Sequence, residues 1–247
     1  MESNLYFEVS DLPAPRGEYV LWCDGMGTGR ELNRQLFRAA SFVFKVHMAF
    51  GIATREFADV QSYPVMDGLY VTSPSRETIR EVIKLAFTEM GKEFICRRHT
   101  KNMFMMRAGL AFGPVIHGTD IPDAAIGDNQ AALSTKSALL LSPAMVAAYH
   151  GEGKAPPFGV YVDETAQCIP ILADGDDTGF QSFLYHWWIG GDEETYKVAK
   201  QMHTEIGFYC DMADQHSLEL GYPKDRIAKH RQLAEEYFGG LVHTEEA

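Results

Sequence analysis

Apolar positions along the chain follow two different periods, and their order predicts a mixed α+β fold. The segment 18–24 is a continuous apolar run that ends on Asp24, which is typical of a buried strand. Two shorter strands are predicted over 57–63 and 68–73, with a tight connection from Pro64 to Asp67 between them. These strands would form the first half of a sheet.

Helical periodicity separates these strands from one another and from the rest of the chain. One helix is predicted from about Arg30, with an apolar stripe of Leu32, Leu36, Ala40, Val43 and His47. A second helix is predicted after Ser75, its expected N-cap, with an apolar stripe of Ile79, Val82, Ile83, Ala86 and Met90.

The second half of the chain predicts further strands and then helices. Residues 102–118 predict a strand, a turn at Gly113-Pro114 and a strand continuation, and residues 129–149 a helix divided at Ser142-Pro143. Two more strands are expected within 158–165 and 180–188, and beyond Gly190 the pattern is helical. The order predicts an α+β sheet with helices on one face.

Composition and charge narrow the classes of function. A chain of 247 residues with a net charge of -12 lacks the basic face that nucleic-acid binding requires. A nucleotide substrate is compatible with that charge, because metal ions neutralise a triphosphate locally. No apolar stretch is long enough to cross a membrane and no leader begins the chain, so a cytoplasmic protein is expected. The cysteines form no CxxC pair, which favours a reducing compartment.

Two carboxylates are the first candidates for chemistry. Asp24 ends one strand and Asp67 lies in the hairpin of the next two, so a sheet that places these strands side by side would bring both together. Oxygen ligands on neighbouring strands suit Mg²⁺ or Mn²⁺, although each Asp alone is also an ordinary turn residue. Gly25, Gly27 and Gly29 follow Asp24 and precede a helix, where backbone N–H groups hold anions.

Arg107 is the third candidate, because it interrupts an otherwise apolar strand. A guanidinium in such a strand is costly unless it is paired. It would act either as a structural partner in a salt bridge or as a bidentate ligand of phosphate.

In this order the motifs resemble the catalytic domain of class III nucleotidyl cyclases. The family's first metal Asp and small-residue loop match "LWCDGMGTG", its second metal Asp matches "YPVMDGLYV", and its R-x-G-[IL]-x-x-G-x-V strand matches "RAGLAFGPV". In the second motif Met66 replaces the family's first glycine. The resemblance implies a ferredoxin-like βαββαβ core with additional strands, and a catalytic domain over 16–190 between an N-terminal extension, 1–15, and a C-terminal helical extension, 191–247.

Tyr63 is the residue from which the base of the nucleotide substrate is predicted. Purine-specific members of the family have Lys or Glu four residues before the second metal Asp, and this chain has Tyr63 there. A phenol offers one hydrogen bond and fills space, which suits the smaller pyrimidine ring. This resembles the pyrimidine nucleotide cyclases of Pycsar anti-phage systems, which implies UTP, or else CTP, as substrate and a separate effector that senses the cyclic product. A purine cyclase is the alternative.

The resemblance also implies the mechanism and the remaining site residues. Two divalent cations are expected on Asp24, Asp67 and the carbonyl of Gly25, with the loop Gly25, Met26, Gly27 and Thr28 and the side chain of Arg107 holding the triphosphate. The site would lie between the subunits of a homodimer.

One part of the family's site is poorly matched. Its transition-state Asn and Arg, four residues apart, have no clean counterpart, and Lys136 stands where the Arg would be if Ala132 replaces the Asn. A register that uses Asn129 is also open. The family's late Lys-Gly-Lys-Gly triphosphate loop is absent from the sequence. A catalytically silent cyclase-like domain is therefore a further alternative. A haloacid dehalogenase phosphatase is disfavoured, because Met26 stands where its second Asp would be.

Overall fold

The computed structural model describes residues 10, 12–27, 35–96, 103–123, 130–167, 180, 182–220 and 222–241. Within these ranges the strands are β1 (Arg16–Gly25), β2 (Gln61–Val65), β3 (Gly68–Ser73), β4 (Met106–His117), β5 (Leu140–Leu141), β6 (Val160–Val162) and β7 (Leu184–Tyr185). The helices are α1 (Leu36–Thr54), α2 (Arg76–Cys96), α3 (Gln130–Thr135), α4 (Pro143–Glu152), α5 (Glu164–Gln167), α6 (Glu193–Gln215), α7 (Ser217–Leu220) and α8 (Lys224–Phe238).

The strand order confirms the predicted ferredoxin-like core. The sheet runs β2-β3-β1-β4-β6-β7, and β1 is antiparallel to both β3 and β4. Helix α1 connects β1 to β2 and helix α2 connects β3 to β4, which completes the βαββαβ unit. β6 and β7 extend the sheet beyond β4, with β6 parallel to β4, and β5 pairs with the end of β4. The strand that ends on Asp24 therefore lies at the centre of the sheet.

Strand β4 differs from its prediction. The expected turn at Gly113-Pro114 is wrong, because β4 continues through both residues and pairs with β1 from Met106 to Val115. Proline cannot donate to a ladder, but β6 pairs only with Ala108–Leu110, so the flank of β4 at Pro114 has no β6 partner that would need its N–H. The first predicted hairpin strand was also too long, since β2 begins at Gln61 rather than at residue 57.

The predicted N-cap and apolar stripe of α2 are confirmed, whereas the predicted apolar stripe of α1 is wrong. Ser75 Oγ accepts from the N–H of Thr78 at 3.1 Å, so Ser75 caps α2, and its predicted apolar stripe is buried. In α1 the predicted stripe is rotated by about one residue over the described positions, where the buried residues are Ala39, Phe42, Val46, Ala49, Phe50 and Ala53. The predicted start near Arg30 and the stripe residue Leu32 lie outside the described residues. The helix is apolar on more than one face, so periodicity alone did not select the face that packs on the sheet.

The outer face of α1 is apolar and exposed. Phe37 is 89% exposed and Phe44 is 67% exposed. Among the described residues, α1 is the one helix whose length and composition would allow it to cross a membrane, and 33% of its most apolar window is buried. Core helices of water-soluble proteins pass the same test.

The expectation of helices on one face of the sheet is wrong. Helices α1 and α2 and the long helix α6 contribute to the main core, whereas α4 covers the opposite face over β1 and β4. The cause is the divided segment 129–149, in which residues 136–138 form a 3-10 turn and Leu140–Leu141 a short strand. Ser142 then caps α4, accepting from the N–H of Ala144 at 3.0 Å.

The C-terminal helices pack on the same core as the strands. Helix α6 lies against α2, and α8 lies against α6, so the predicted helical pattern beyond Gly190 is confirmed for the described residues. Val198 and Met202 of α6 fit over Gly91 of α2, where an added Cβ would lie 2.6 Å from Val198 Cγ1. The predicted boundary between 16–190 and 191–247 stays a prediction, and the hydrophobic core is continuous across it.

Candidate active site

The two predicted metal ligands lie at the same edge of the sheet. Strand β1 pairs with β3 up to Cys23 and Leu69, so the β2–β3 turn that contains Asp67 lies beside the end of β1 at Asp24. The approach is close: a Cβ added to Gly68 would lie 2.6 Å from the carbonyl oxygen of Cys23 and 2.5 Å from the Trp22 ring. Gly68 thus has a steric reason to be glycine, and it lets the hairpin bring Asp67 towards Asp24.

Electrostatics agree with this proximity. The pKa of Asp24 is raised to about 7, first by burial and then by the negative charges of Asp67 and Glu152, while the N–H of Gly25 and the charge of Arg107 act in the opposite direction. Like charges held together in a partly buried place are the arrangement that a divalent cation would stabilise.

The donor set fits a cation such as Mg²⁺ or Mn²⁺ that takes its remaining ligands from water and phosphate. Two carboxylates are available, and the described residues contain no group of three or more metal-binding side chains that would form a closed cage. The structure thus fits the predicted pair, whereas the carbonyl of Gly25 as a ligand stays a prediction.

Arg107 has a partner that the sequence did not reveal. Its backbone lies opposite that of Asp24 in the β1–β4 ladder, and its side-chain Nε donates to Glu152 Oε1 at the end of α4. Both side chains are largely buried, with 18% and 12% exposed. Glu152 therefore neutralises Arg107 in the free protein. No local motif marks Glu152, because it reaches the site only through the packing of α4.

Gly109 explains how α4 comes so close. An added Cβ at Gly109 would lie 2.0 Å from the carbonyl oxygen of Ala148 and 2.6 Å from the backbone nitrogen of Glu152. Only a residue without a side chain fits between β4 and the last turn of this helix. The glycine of the R-x-G motif is thus a packing requirement that positions Glu152 against Arg107.

The glycine loop is described through Gly27, and Thr28 and Gly29 lie outside the described residues. The N–H of Gly25 donates to Asp24 Oδ1 at 2.8 Å, and the N–H of Met26 donates to the carbonyl of Met105 at 2.8 Å. These two amides are therefore occupied in the free protein. Gly27 adopts a φ of 85°, which favours glycine, and no described residue accepts from its N–H.

Tyr63 lies on the α4 face of the sheet and is 4% exposed. Its hydroxyl contacts Gln61 Oε1 at 2.7 Å and His117 Nδ1, and His117 Nε2 contacts Glu18 Oε1 at 3.0 Å. His117 is fully buried, and burial raises the pKa of Tyr63 to about 12. A polar network that the sequence did not predict therefore fixes the phenol.

Lys136 is not brought to the carboxylates within the protomer. It lies in the 3-10 turn after α3, beside the far end of β4 from Arg107, and pairs with Asp123 at 2.6 Å. Asn129 lies outside the described residues. The role of Lys136 stays a prediction that depends on a second subunit.

Comparison with known proteins gives structural matches alone. No protein-family profile and no curated protein matches the chain. The chain is similar to the monomeric guanylyl cyclase domain of the RhoGC fusion protein of Blastocladiella emersonii, at 13% identity and a TM-score of 0.46 over 62% of this chain and 84% of that one.

Two bacterial structures give similar results. One is an adenylate/guanylate cyclase/hydrolase from Silicibacter pomeroyi, at 14% identity and a TM-score of 0.46 over 62% of this chain and 78% of that one. The other is the adenylyl cyclase CyaB from P. aeruginosa, at 8% identity and a TM-score of 0.43 over 60% and 76%. The strand order of the chain itself, rather than these matches, defines its fold.

Proposed function

We propose that the protein is a metal-dependent nucleotidyl cyclase that converts a pyrimidine nucleoside triphosphate to its 3′,5′-cyclic monophosphate and pyrophosphate. The observation that carries the proposal is the meeting of Asp24 and Asp67 at one edge of the sheet, with Arg107 on the adjoining strand. This combination supplies oxygen ligands for cations and a guanidinium for phosphate within one cluster.

The reaction needs no protein nucleophile. The 3′ oxygen of the ribose attacks the α-phosphorus, the bond to the β-phosphate oxygen breaks, and the 3′ proton passes to solvent. Two divalent cations on Asp24 and Asp67 would supply charge neutralisation of the triphosphate and a lowered pKa of the 3′-OH. Arg107 would exchange its contact with Glu152 for a contact with a phosphate oxygen. Its guanidinium would then stabilise the negative charge that develops on the leaving pyrophosphate.

Tyr63 supports a pyrimidine substrate. Its position, four residues before Asp67, has no charge with which to read a purine edge. The Tyr63 hydroxyl contacts buried His117 on one side and the partly exposed Gln61 on the other. The edge of a bound base would take the place of Gln61 as the hydrogen-bond partner of this hydroxyl. We favour UTP over CTP as the substrate.

The proposed assembly is a homodimer in which Tyr63 of one subunit faces the cations of the other. The cyclic product would act as a messenger to a separate effector in anti-phage defence, in the cytoplasm. These assignments follow from the resemblance of the sequence motifs. Lys136 would enter the site from the second subunit, as the counterpart of the family's arginine.

The test is product formation by the full chain with Mn²⁺ and each of the four common nucleoside triphosphates. Cyclic UMP or cyclic CMP is the expected product by mass spectrometry. Asp24→Asn is expected to abolish it and to raise the melting temperature, because the substitution removes repulsion from Asp67 and Glu152. Asp163→Asn is the matched control, since Asp163 caps the short α5 through Thr165, away from this cluster.

Each outcome bears on a different part of the proposal. Cyclic AMP or cyclic GMP alone would overturn the pyrimidine assignment and leave a purine cyclase. Failure to form any cyclic product would overturn the enzymatic function. Full activity of the Asp24→Asn protein would overturn the two-cation site.

A further inference from the structure

A small cavity lies between the glycine loop and the C-terminal helices. It has a volume of about 70 Å³ and is bordered by Gly27 and Met26 on one side and by Tyr222, Arg226 and His230 on the other. A cavity of this size has room for a few waters or one tetrahedral anion. Its size suits a single phosphate group.

The charge of this cavity is opposite to that of the protein. The chain carries a net charge of -12, yet the described border of the cavity includes Arg38 and Arg226 and no carboxylate. Arg226 is exposed, and among the described residues it has no hydrogen bond or ion pair. The guanidinium of Arg226 therefore gives this border a charged donor for an anion.

Hydrogen-bond donors also face this cavity. The N–H of Gly27 lacks an acceptor among the described residues, and the positive φ of this glycine shapes the loop at the border. The Tyr222 hydroxyl contacts His230 Nδ1, which holds both rings at the opposite border. The Arg38 guanidinium stacks on Phe104 with 5.0 Å between Cζ and the ring centroid, which fixes its direction.

The cavity adjoins the carboxylate cluster. The positive charge of Arg107 acts on both Tyr222 and His230, and Arg107 also acts on Asp24. Met26 and Gly27 of the cavity border also follow Asp24 and Gly25 directly in the chain, so the cavity lies beside the strand end that carries the proposed cation site. A triphosphate whose α-phosphate is at the cations would have its terminal phosphate directed to Gly27 and Arg226.

We propose that Arg226 of the C-terminal extension is a substrate-binding residue that holds the terminal phosphate of the triphosphate, and one phosphate of pyrophosphate after the reaction. The inference rests on the proposed function for the identity of the ligand, and on the cavity for its position. The sequence has no late Lys-Gly-Lys-Gly triphosphate loop. Helix α8 supplies the missing cation instead, which gives the extension a role in the active site beyond packing.

The experiment compares Arg226→Gln with Lys229→Gln in the full chain. Lys229 is exposed on the same helix and does not border the cavity, so the control removes an equal charge. Calorimetric titration with inorganic pyrophosphate and Mn²⁺ is the first measurement, because it does not require turnover. We expect Arg226→Gln to raise the Kd about tenfold or more, as for loss of a charge-assisted hydrogen bond, and Lys229→Gln to change it less than twofold.

The second measurement is KM for the nucleotide that yields a cyclic product, which is expected to rise about tenfold in Arg226→Gln with kcat less affected. Equal pyrophosphate affinity in the two variants would overturn the inference and leave the proposed function standing. If pyrophosphate binding depends on Arg226 but no cyclic product forms, the proposed function is overturned and the phosphate site is supported. Absence of pyrophosphate binding by the unmodified protein would overturn the inference.

Discussion

Gly109→Ala tests whether the packing of α4 on β4 holds the candidate site together. The new methyl carbon would lie 2.0 Å from the carbonyl oxygen of Ala148, whereas ordinary contact begins at 3.4 Å. Helix α4 would have to retreat by about 1.4 Å along that contact, and both obstructing atoms belong to its backbone. A side chain cannot rotate away to relieve this clash.

The expected cost follows from overpacking. Forcing a methyl group into a packed interface costs about 1–3 kcal/mol, and we expect about 3 kcal/mol because the obstruction is backbone. The greater strand propensity of alanine recovers about 0.5–1 kcal/mol of this. For a chain of this size each kcal/mol corresponds to about 2–4 °C, so the melting temperature should fall by roughly 4–10 °C.

Thermal unfolding followed by calorimetry and circular dichroism measures this effect. Gly113→Ala is the matched control, because its Cβ would meet only the Ala144 methyl at 3.2 Å, which needs a shift of a few tenths of an ångström. Its melting temperature should fall by no more than about 3 °C. The reasoning is refuted if Gly109→Ala melts within 1 °C of the unmodified protein, or if both variants lose the same stability.

Three further outcomes are expected. Met66→Gly should raise the melting temperature by about 2–4 °C, because Met66 has a φ of 54° and a left-handed conformation costs a non-glycine residue about 1 kcal/mol; an unchanged value would contradict this. Tyr63→Phe should lower the free energy of unfolding by about 1–2 kcal/mol, because Nδ1 of buried His117 loses its contact with the phenol while Nε2 keeps Glu18. Tyr161→Phe, which loses one exposed contact, should be near neutral by urea titration. The pKa of His230 is lowered to about 4, first by burial and then by the positive charges of Arg107, Arg226 and Lys229. Below about pH 6.5 the unfolded chain binds a proton at this histidine and the native state does not, so the free energy of unfolding should fall as the pH falls from 6.5 to 4. Urea titration should show a smaller fall in the free energy of unfolding for His230→Gln over the same pH range.

Local sequence signals were sufficient for the core of the fold. The apolar run ending on Asp24, the short connection at Asp67 and the Ser75 cap each act over a few residues, so strand β1, the hairpin turn and helix α2 lie where they were predicted. Their order also sets the ferredoxin-like strand order, because a hairpin and two helical crossovers leave few ways to form one sheet.

Signals that depend on partners distant in the sequence failed. The face of α1 was misassigned by a residue, and the turn expected at Gly113-Pro114 is part of a continuous strand. Periodicity records which positions are apolar, whereas the buried face depends on which surface the sheet presents. A Gly-Pro pair predicts a turn by itself, yet a central strand tolerates it where no neighbour needs the missing N–H.

The candidate site divides in the same way. The sequence alone identified Asp24, Asp67 and Arg107, because a carboxylate at a strand end and a guanidinium within an apolar strand are costly without a purpose or a partner. Tertiary structure decided that Glu152 neutralises Arg107 and that Arg226 of α8 borders the same cavity as Gly27. The first arrangement joins residues 45 positions apart and the second brings together residues from opposite ends of the chain, and only the packing of helices on a completed sheet makes either possible.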